Sequence, residues 1–177
     1  MMTILRVWSA RLLERLVPVL EVHAHCDIPC GIYDPHTAQI AALTIIRMNQ
    51  LIRDLPKPSA QTSPEEREAY VHKLARYAKV KEDHAEICKH ELRVIWGDYF
   101  TPEHVQKFPE IHGLFWDTMK LASKARQEVN MQVAEDLLAK TQQIAELFWK
   151  TKGASTKRQA SLQKSGGELV YPVPAAK

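Results

Sequence analysis

Residues 25–35 read HCDIPCGIYDP and bring together the imidazole of His25 and the thiols of Cys26 and Cys30. Adjacent side chains on a helix point apart, so His25 and Cys26 can share one ion only from an irregular segment. Nitrogen and thiolate donors in a plane suit nickel or copper, whereas structural zinc prefers a tetrahedral set of side chains. We call residues 25–35 the hook, and their pattern indicates a metal site.

The two cysteines of the hook also allow simpler interpretations. Thiols at this spacing are compatible with two small buried residues or with a disulfide, and the spacing matches none of the familiar zinc motifs. A cut of the chain before His25 would favour the metal site, because it would add a primary amine that titrates at about pH 7.7 to 8.0.

The hook leads directly into a helix signal. Asp34 followed by Pro35 is typical of an N-cap and a first helical position, and Pro56 ends the apolar repeat that follows. Residues 63–66, SPEE, form a capping box that starts a second, long helix. Its apolar face, from Val71 to Ile95, is interrupted by Lys81.

Two more periodic segments complete the predicted fold. A third helix is expected from Pro109, and a fourth from about Met131 to Thr151. Antiparallel packing of these helices predicts an all-α fold, an up-and-down four-helix bundle with an irregular N-terminal metal-binding hook.

The two ends of the chain differ from this middle. Residues 1–24 form an amphipathic leader that ends in Val22-His23-Ala24, a small-residue ending that signal peptidase accepts. Charged residues such as Arg11 and Glu14 interrupt the apolar region that an export signal needs. Residues 153–177 show no periodicity, and we expect a disordered tail.

Composition limits the possible functions. The chain has 177 residues, 45% of them hydrophobic, which is enough for one core. A net charge of +3 without a basic, aromatic-rich cluster predicts no nucleic-acid partner. No apolar run is long enough to cross a bilayer, so no membrane partner is expected. Three cysteines do not form a disulfide framework, and a reducing, cytoplasmic location fits them best.

The hook resembles the amino-terminal hook of nickel-containing superoxide dismutases, and the likeness extends along the chain. Residues 96–102, WGDYFTP, and 108–112, FPEIH, are similar to the block that joins the family's second and third long helices. Residues 148–152, FWKTK, are similar to its carboxy-terminal ending. The resemblance therefore covers about residues 25–152, the predicted superoxide dismutase domain.

This resemblance implies a reaction and a site. It implies one nickel ion per chain that cycles between its divalent and trivalent states and disproportionates superoxide to dioxygen and hydrogen peroxide. His25, Cys26 and Cys30 would be the metal ligands, after removal of residues 1–24 as a propeptide. Tyr33 would face the open side of the metal, with a hydrophobic cap over the first helix as the alternative. Asp27 would orient backbone amides or carry protons, unless it is a solvated turn residue.

The resemblance also implies partners. These are superoxide, a leader peptidase, a homohexameric assembly and a possible nickel chaperone. A gapless alignment places Ala41 and His84 where some members have a glutamate and an arginine that hold the ligand imidazole. Two other functions stay open from the sequence: non-redox nickel or copper storage or delivery through the same hook, and a helical interaction module with incidental cysteines.

Overall fold

Proline and capping side chains determine where the first helices begin in the computed structural model, which describes residues 30–173. Helix α1 is His36–Arg53, and Asp34 Oδ1 accepts a hydrogen bond from the His36 N–H at 2.7 Å. Helix α2 is Pro64–Val94, and its predicted capping box is confirmed. Ser63 Oγ accepts from the Glu66 N–H at 3.2 Å, and Glu66 Oε2 accepts from the Ser63 N–H at 2.9 Å.

The second half of the helical region includes two elements that the sequence pattern did not predict. A π-helical turn, Ile95–Tyr99, continues α2, and a short helix α3 spans Pro102–Lys107. Helix α4 is Ile111–Gln127 and so begins slightly later than the predicted Pro109. Helix α5, Met131–Thr151, has the predicted bounds, and Asn130 Oδ1 caps it by accepting from the Val133 N–H at 3.3 Å.

The described residues from Gly31 onward form one unit, whereas Cys30 is assigned to a separate N-terminal unit. In the larger unit, α1 packs on α2 and α5, and α4 packs on the same two helices. The protein is mostly helical, and its core lies between these four long helices. The largest fully buried side chains come from all four of them and from the π-helical turn: Ile45, Leu92, Ile95, Ile111, Phe115, Leu137, Ile144 and Phe148.

Two features of α2 differ from its sequence pattern. The apolar face is not buried at its N-terminal end, where Val71 is 61% exposed. Lys81, which interrupts that face, is buried, and its Nζ donates to the carbonyl oxygens of Ala125, Arg126 and Glu128 at 2.7, 2.6 and 3.0 Å. Because the last carbonyls of a helix have no partner within it, this lysine satisfies the C-terminal end of α4.

The predicted disorder of residues 153–177 is wrong over the part that the structure describes. Strands β1, Ser155–Ala160, and β2, Glu168–Val173, pair antiparallel with Arg158 opposite Val170. The side chains of β1 are largely exposed and polar, so this strand lacks the apolar alternation that identifies a strand in sequence. Pairing with β2, whose Leu169 and Val170 are buried against the helices, stabilises it instead. We call residues 155–173 the hairpin.

Across residues 30–173, no helix has the combination of length and apolar character needed to cross a bilayer.

Candidate metal centre

The described part of the hook begins at Cys30. Cys30 is partly exposed, and Gly31 follows with φ +72°, a conformation that other residues seldom adopt. Ile32 is 74% exposed. The described end of the hook is therefore irregular before α1 begins. His25, Cys26 and Asp27 lie outside the described residues, and their predicted roles stay predictions.

Cys88 has an environment that excludes it as a metal ligand. It is fully buried on α2, and its Sγ lies 3.9 Å from Thr141 Oγ1. Burial raises the pKa of its thiol to about 12. A metal-binding cysteine must be a thiolate, so Cys88 is a core residue. Of the two cysteines that the structure describes, only Cys30 has an exposure that suits a ligand.

Three of the histidines that the structure describes have partners within the protein. The His36 ring lies 5.7 Å from that of Tyr171, and His112 Nδ1 accepts a hydrogen bond from the Trp96 indole at 3.0 Å. His84 Nδ1 donates to the Val80 carbonyl at 2.8 Å. Among residues 30–173, no group of three or more histidine, cysteine or acidic side chains could hold a metal ion. The residues from 30 to 173 therefore do not form a metal site by themselves.

Tyr33 lies against an aromatic cluster at the end of the helical core. Its half-buried ring is 5.7 Å from the ring of Tyr99, with 55° between their planes. Tyr99 also contacts Phe148, at 4.5 Å between ring centroids, and His104, at 5.5 Å. This packing explains how Tyr33, near the end of the hook, is held to the core.

The Tyr99 hydroxyl has a partner that the sequence did not predict. The Tyr99 hydroxyl lies 2.7 Å from Thr151 Oγ1, at the end of α5. Thr151 uses its single proton to donate to the Phe148 carbonyl at 2.6 Å, so Tyr99 must be the donor to Thr151. Tyr99 therefore supports Tyr33 through a ring contact.

Positive side chains of the described residues differ in their surroundings. Lys89 donates to Ser123 at 2.8 Å, and Arg93 pairs with Glu86 at 2.7 Å, so both are held by partners within the protein. Lys152 was not singled out in the sequence, although it belongs to the block at residues 148–152. Its Nζ lies 5.2 Å from the Tyr99 ring centroid and 5.0 Å from that of Phe148, which places a positive charge beside the cluster that holds Tyr33.

Comparison with known proteins gives the family context of this arrangement. Residues 20–152 match a family model described as nickel-containing superoxide dismutase. A protein of Streptomyces coelicolor named superoxide dismutase [Ni] is 37% identical over 144 residues, which are 81% of this chain and 100% of that protein. A protein of the same name from Streptomyces seoulensis is 35% identical over the same shares of both chains.

Solved structures agree with the sequence relatives. A native nickel superoxide dismutase structure at 1.30 Å is 35% identical, with a TM-score of 0.62 over 72% of this chain and 99% of that chain. A nickel-containing superoxide dismutase with nickel ligation corresponding to the oxidised state is 33% identical, with a TM-score of 0.63 over 73% of this chain and 100% of that chain. The hairpin begins after residue 152, where the match to the family model ends.

Proposed function

Because this chain belongs to the nickel-containing superoxide dismutase family, we propose that its hook binds the nickel ion of that family through His25, Cys26 and Cys30. The chain is a nickel-dependent superoxide dismutase, an oxidoreductase that converts superoxide to dioxygen and hydrogen peroxide. The observation that supports this function most strongly is the match over residues 20–152, which contains the whole hook and all four long helices.

The donor set of the hook fits nickel. The thiolates of Cys26 and Cys30, the backbone amide of Cys26, and the amine and imidazole of His25 would supply nitrogen and sulfur donors of the kind that nickel accepts. Nickel bound there supplies one-electron chemistry, because anionic thiolate donors make its trivalent state accessible. The partial exposure of Cys30 and the burial of Cys88 support Cys30, and not Cys88, as a nickel ligand.

Removal of the leader, residues 1–24, would create the amine donor of the hook. We propose that a leader peptidase cuts between Ala24 and His25, which frees the amine of His25. In the uncut chain that nitrogen is an amide, a poor donor. The family match begins at residue 20, upstream of the cut, and this supports a shared precursor form.

Tyr33 and Asp27 are the proposed catalytic residues beside the ligands. Two superoxide anions and two protons give one dioxygen and one hydrogen peroxide, so proton donors close to the hook assist the reaction. We propose that the Tyr33 hydroxyl holds water on the open side of the metal and limits access to small anions. Its half-buried ring, supported by Tyr99, is suited to keep that position. Asp27 would carry protons or orient the amides of the hook.

The assembly and location are proposed on the same basis. The contacts of α1 and α4 with α2 and α5 support an up-and-down four-helix bundle that carries the hook at its N-terminal end. Val71 on α2 and Trp116 on α4 are exposed apolar side chains, which supports association between copies of this chain. The family resemblance implies that the assembly is a homohexamer. A cytoplasmic location would keep the thiols reduced, and a nickel chaperone would supply the ion.

Nickel or copper delivery through the same hook is the rival function, and the family match does not favour it. Superoxide turnover by the processed, nickel-loaded chain, measured by pulse radiolysis against its metal-free form, distinguishes the two. We expect Cys30→Ser to abolish turnover and Cys88→Ser, its matched control, to retain it. Near-native turnover by Cys30→Ser would contradict the ligand set, and a nickel-bound native chain without turnover would support delivery.

A further inference from the structure

The hairpin is held against α1 by a buried glutamine. The Gln39 side chain is 0% exposed; its Nε2 donates to the Val170 carbonyl at 3.2 Å and its Oε1 accepts from the Val170 N–H at 2.7 Å. Leu169 and Val170 are 1% and 2% exposed. Without the hairpin, both polar atoms of a buried amide would lose their partners, so the first turns of α1 depend on β2.

The turn of the hairpin fits closely between two helices. Gly167 has φ +78°, and a Cβ there would lie 2.9 Å from Leu43 Cδ2 on α1 and 3.3 Å from Leu138 Cδ2 on α5. The neighbouring Gly166 has φ +73°, but a Cβ there would meet no atom within 4 Å. Substitution of either glycine would strain the backbone in the same way, but only at Gly167 would a new Cβ also meet neighbouring side chains, which makes the two positions a matched pair.

The last strand reaches the residue at which α1 begins. The Tyr171 ring lies 5.7 Å from that of His36, with 40° between their planes. The His36 N–H is bound by Asp34, and the Gln39 N–H donates to the Pro35 carbonyl at 3.2 Å. The first turn of α1, residues 36–39, is thus in contact with β2 through two of its side chains and directly follows Asp34 and Pro35, the last residues of the hook.

We propose that the hairpin is a strap that holds the first turn of α1 and thereby anchors the hook, with Tyr171 as a positioning residue. This inference rests on the proposed function, because it takes the hook as the nickel site. Helix ends open more readily than helix centres. When the first turn of α1 opens, the hook that precedes it would move, and its donors would release the nickel ion more often. The strap acts by slowing this opening and therefore the loss of nickel.

Point variants of the full processed chain test the strap. Tyr171→Ala removes the ring contact, and Gly167→Ala disturbs the turn; Tyr171→Phe and Gly166→Ala are their matched controls. Amide hydrogen exchange is followed at Gln39 and Ile40, in the last turn of α1 and in α4. Transfer of nickel to excess EDTA is timed well below the melting temperature. We expect exchange at Gln39 and Ile40 and nickel loss to be about fivefold faster in Tyr171→Ala and Gly167→Ala than in their controls.

Three outcomes would overturn the strap. Native exchange at Gln39 and Ile40 in both Tyr171→Ala and Gly167→Ala would show that the hairpin does not hold the turn. Equal acceleration in α4 would show a general loss of stability instead. Faster exchange with unchanged nickel loss would show that the turn does not anchor the hook. A native chain that binds no nickel would instead overturn the proposed ligand set, and exchange at Gln39 would still decide whether the hairpin holds α1.

Discussion

Tyr99 donates its hydroxyl proton to Thr151 across 2.7 Å and so ties the π-helical turn after α2 to the last residue of α5. The same ring contacts Tyr33, the residue that closes the hook against the core. The aromatic cluster therefore joins the two ends of the helical region at the place where the hook is attached.

Removal of this hydroxyl should weaken the protein without removing its metal. Tyr99→Phe keeps the ring contacts but leaves Thr151 Oγ1 without its donor, and we expect about 1 kcal/mol less free energy of unfolding. Thermal and urea unfolding measure the loss, and nickel content should stay at one ion per chain. A loss of nickel in a folded Tyr99→Phe chain would show that the hydroxyl, and not the ring, supports the hook.

Lys81 should contribute to stability through the end of α4. Lys81→Met keeps most of the buried stem but leaves the carbonyls of Ala125, Arg126 and Glu128 without their donor. We expect a loss of roughly 2 to 4 kcal/mol in the free energy of unfolding, measured by urea denaturation. Lys79→Met is the control, because Lys79 is exposed and pairs only with Asp83; it should cost less than about 1 kcal/mol. Equal losses in the two variants would contradict this role.

Cys88 should make the fold sensitive to alkali. Its pKa is about 12 in the folded chain, above the value of about 8.5 for an unfolded thiol. The folded state holds the thiol proton more tightly than the unfolded state, and this difference contributes to the free energy of unfolding. The contribution is complete below about pH 8.5 and is lost as pH rises towards 12. Unfolding free energies measured from pH 8 to 11 should therefore fall more steeply in the native chain than in Cys88→Ala. Parallel pH profiles would contradict the buried, protonated thiol.

Tyr33 should affect access to the metal more than its binding. Tyr33→Phe keeps the ring contact with Tyr99, so we expect full nickel content and a large share of the activity, with altered inhibition by small anions such as azide. Nickel analysis and inhibition curves against the native chain check this. Loss of nickel stoichiometry would show that the hydroxyl holds the hook together.

The sequence predicted the long helices because their signals are local. A capping box at Ser63 and Glu66, and apolar repeats ending near Thr151, depend only on neighbouring residues. The hairpin depends on contacts between distant parts of the chain, such as Gln39 with Val170, and its outer strand has no apolar pattern. Lys81 was likewise read as an interruption because its three acceptors lie on another helix.

The candidate site shows the same difference between local features and long-range contacts. Cys30 and Tyr33 were proposed as site residues from one short stretch, and their roles stay predictions, whereas the burial of Cys88 depends on the contact of α2 with Thr141 on α5. The Tyr99 to Thr151 hydrogen bond and the position of Lys152 over the Tyr99 ring were not predicted, because they require the end of α5 to meet the end of α2. Motifs formed by neighbouring residues can be predicted from the sequence, whereas contacts between distant parts of the chain cannot.

The cut before His25 tests the central claim most directly. Chains that begin at His25, chains with one extra residue before it and uncut chains are loaded with nickel, and electron paramagnetic resonance and superoxide turnover are measured on each. We predict a trivalent nickel signal coupled to one nitrogen, together with turnover, only in the chain that begins at His25. An equal signal and equal turnover in the extended or uncut chain would show that the amine is not a ligand and would contradict the mechanism.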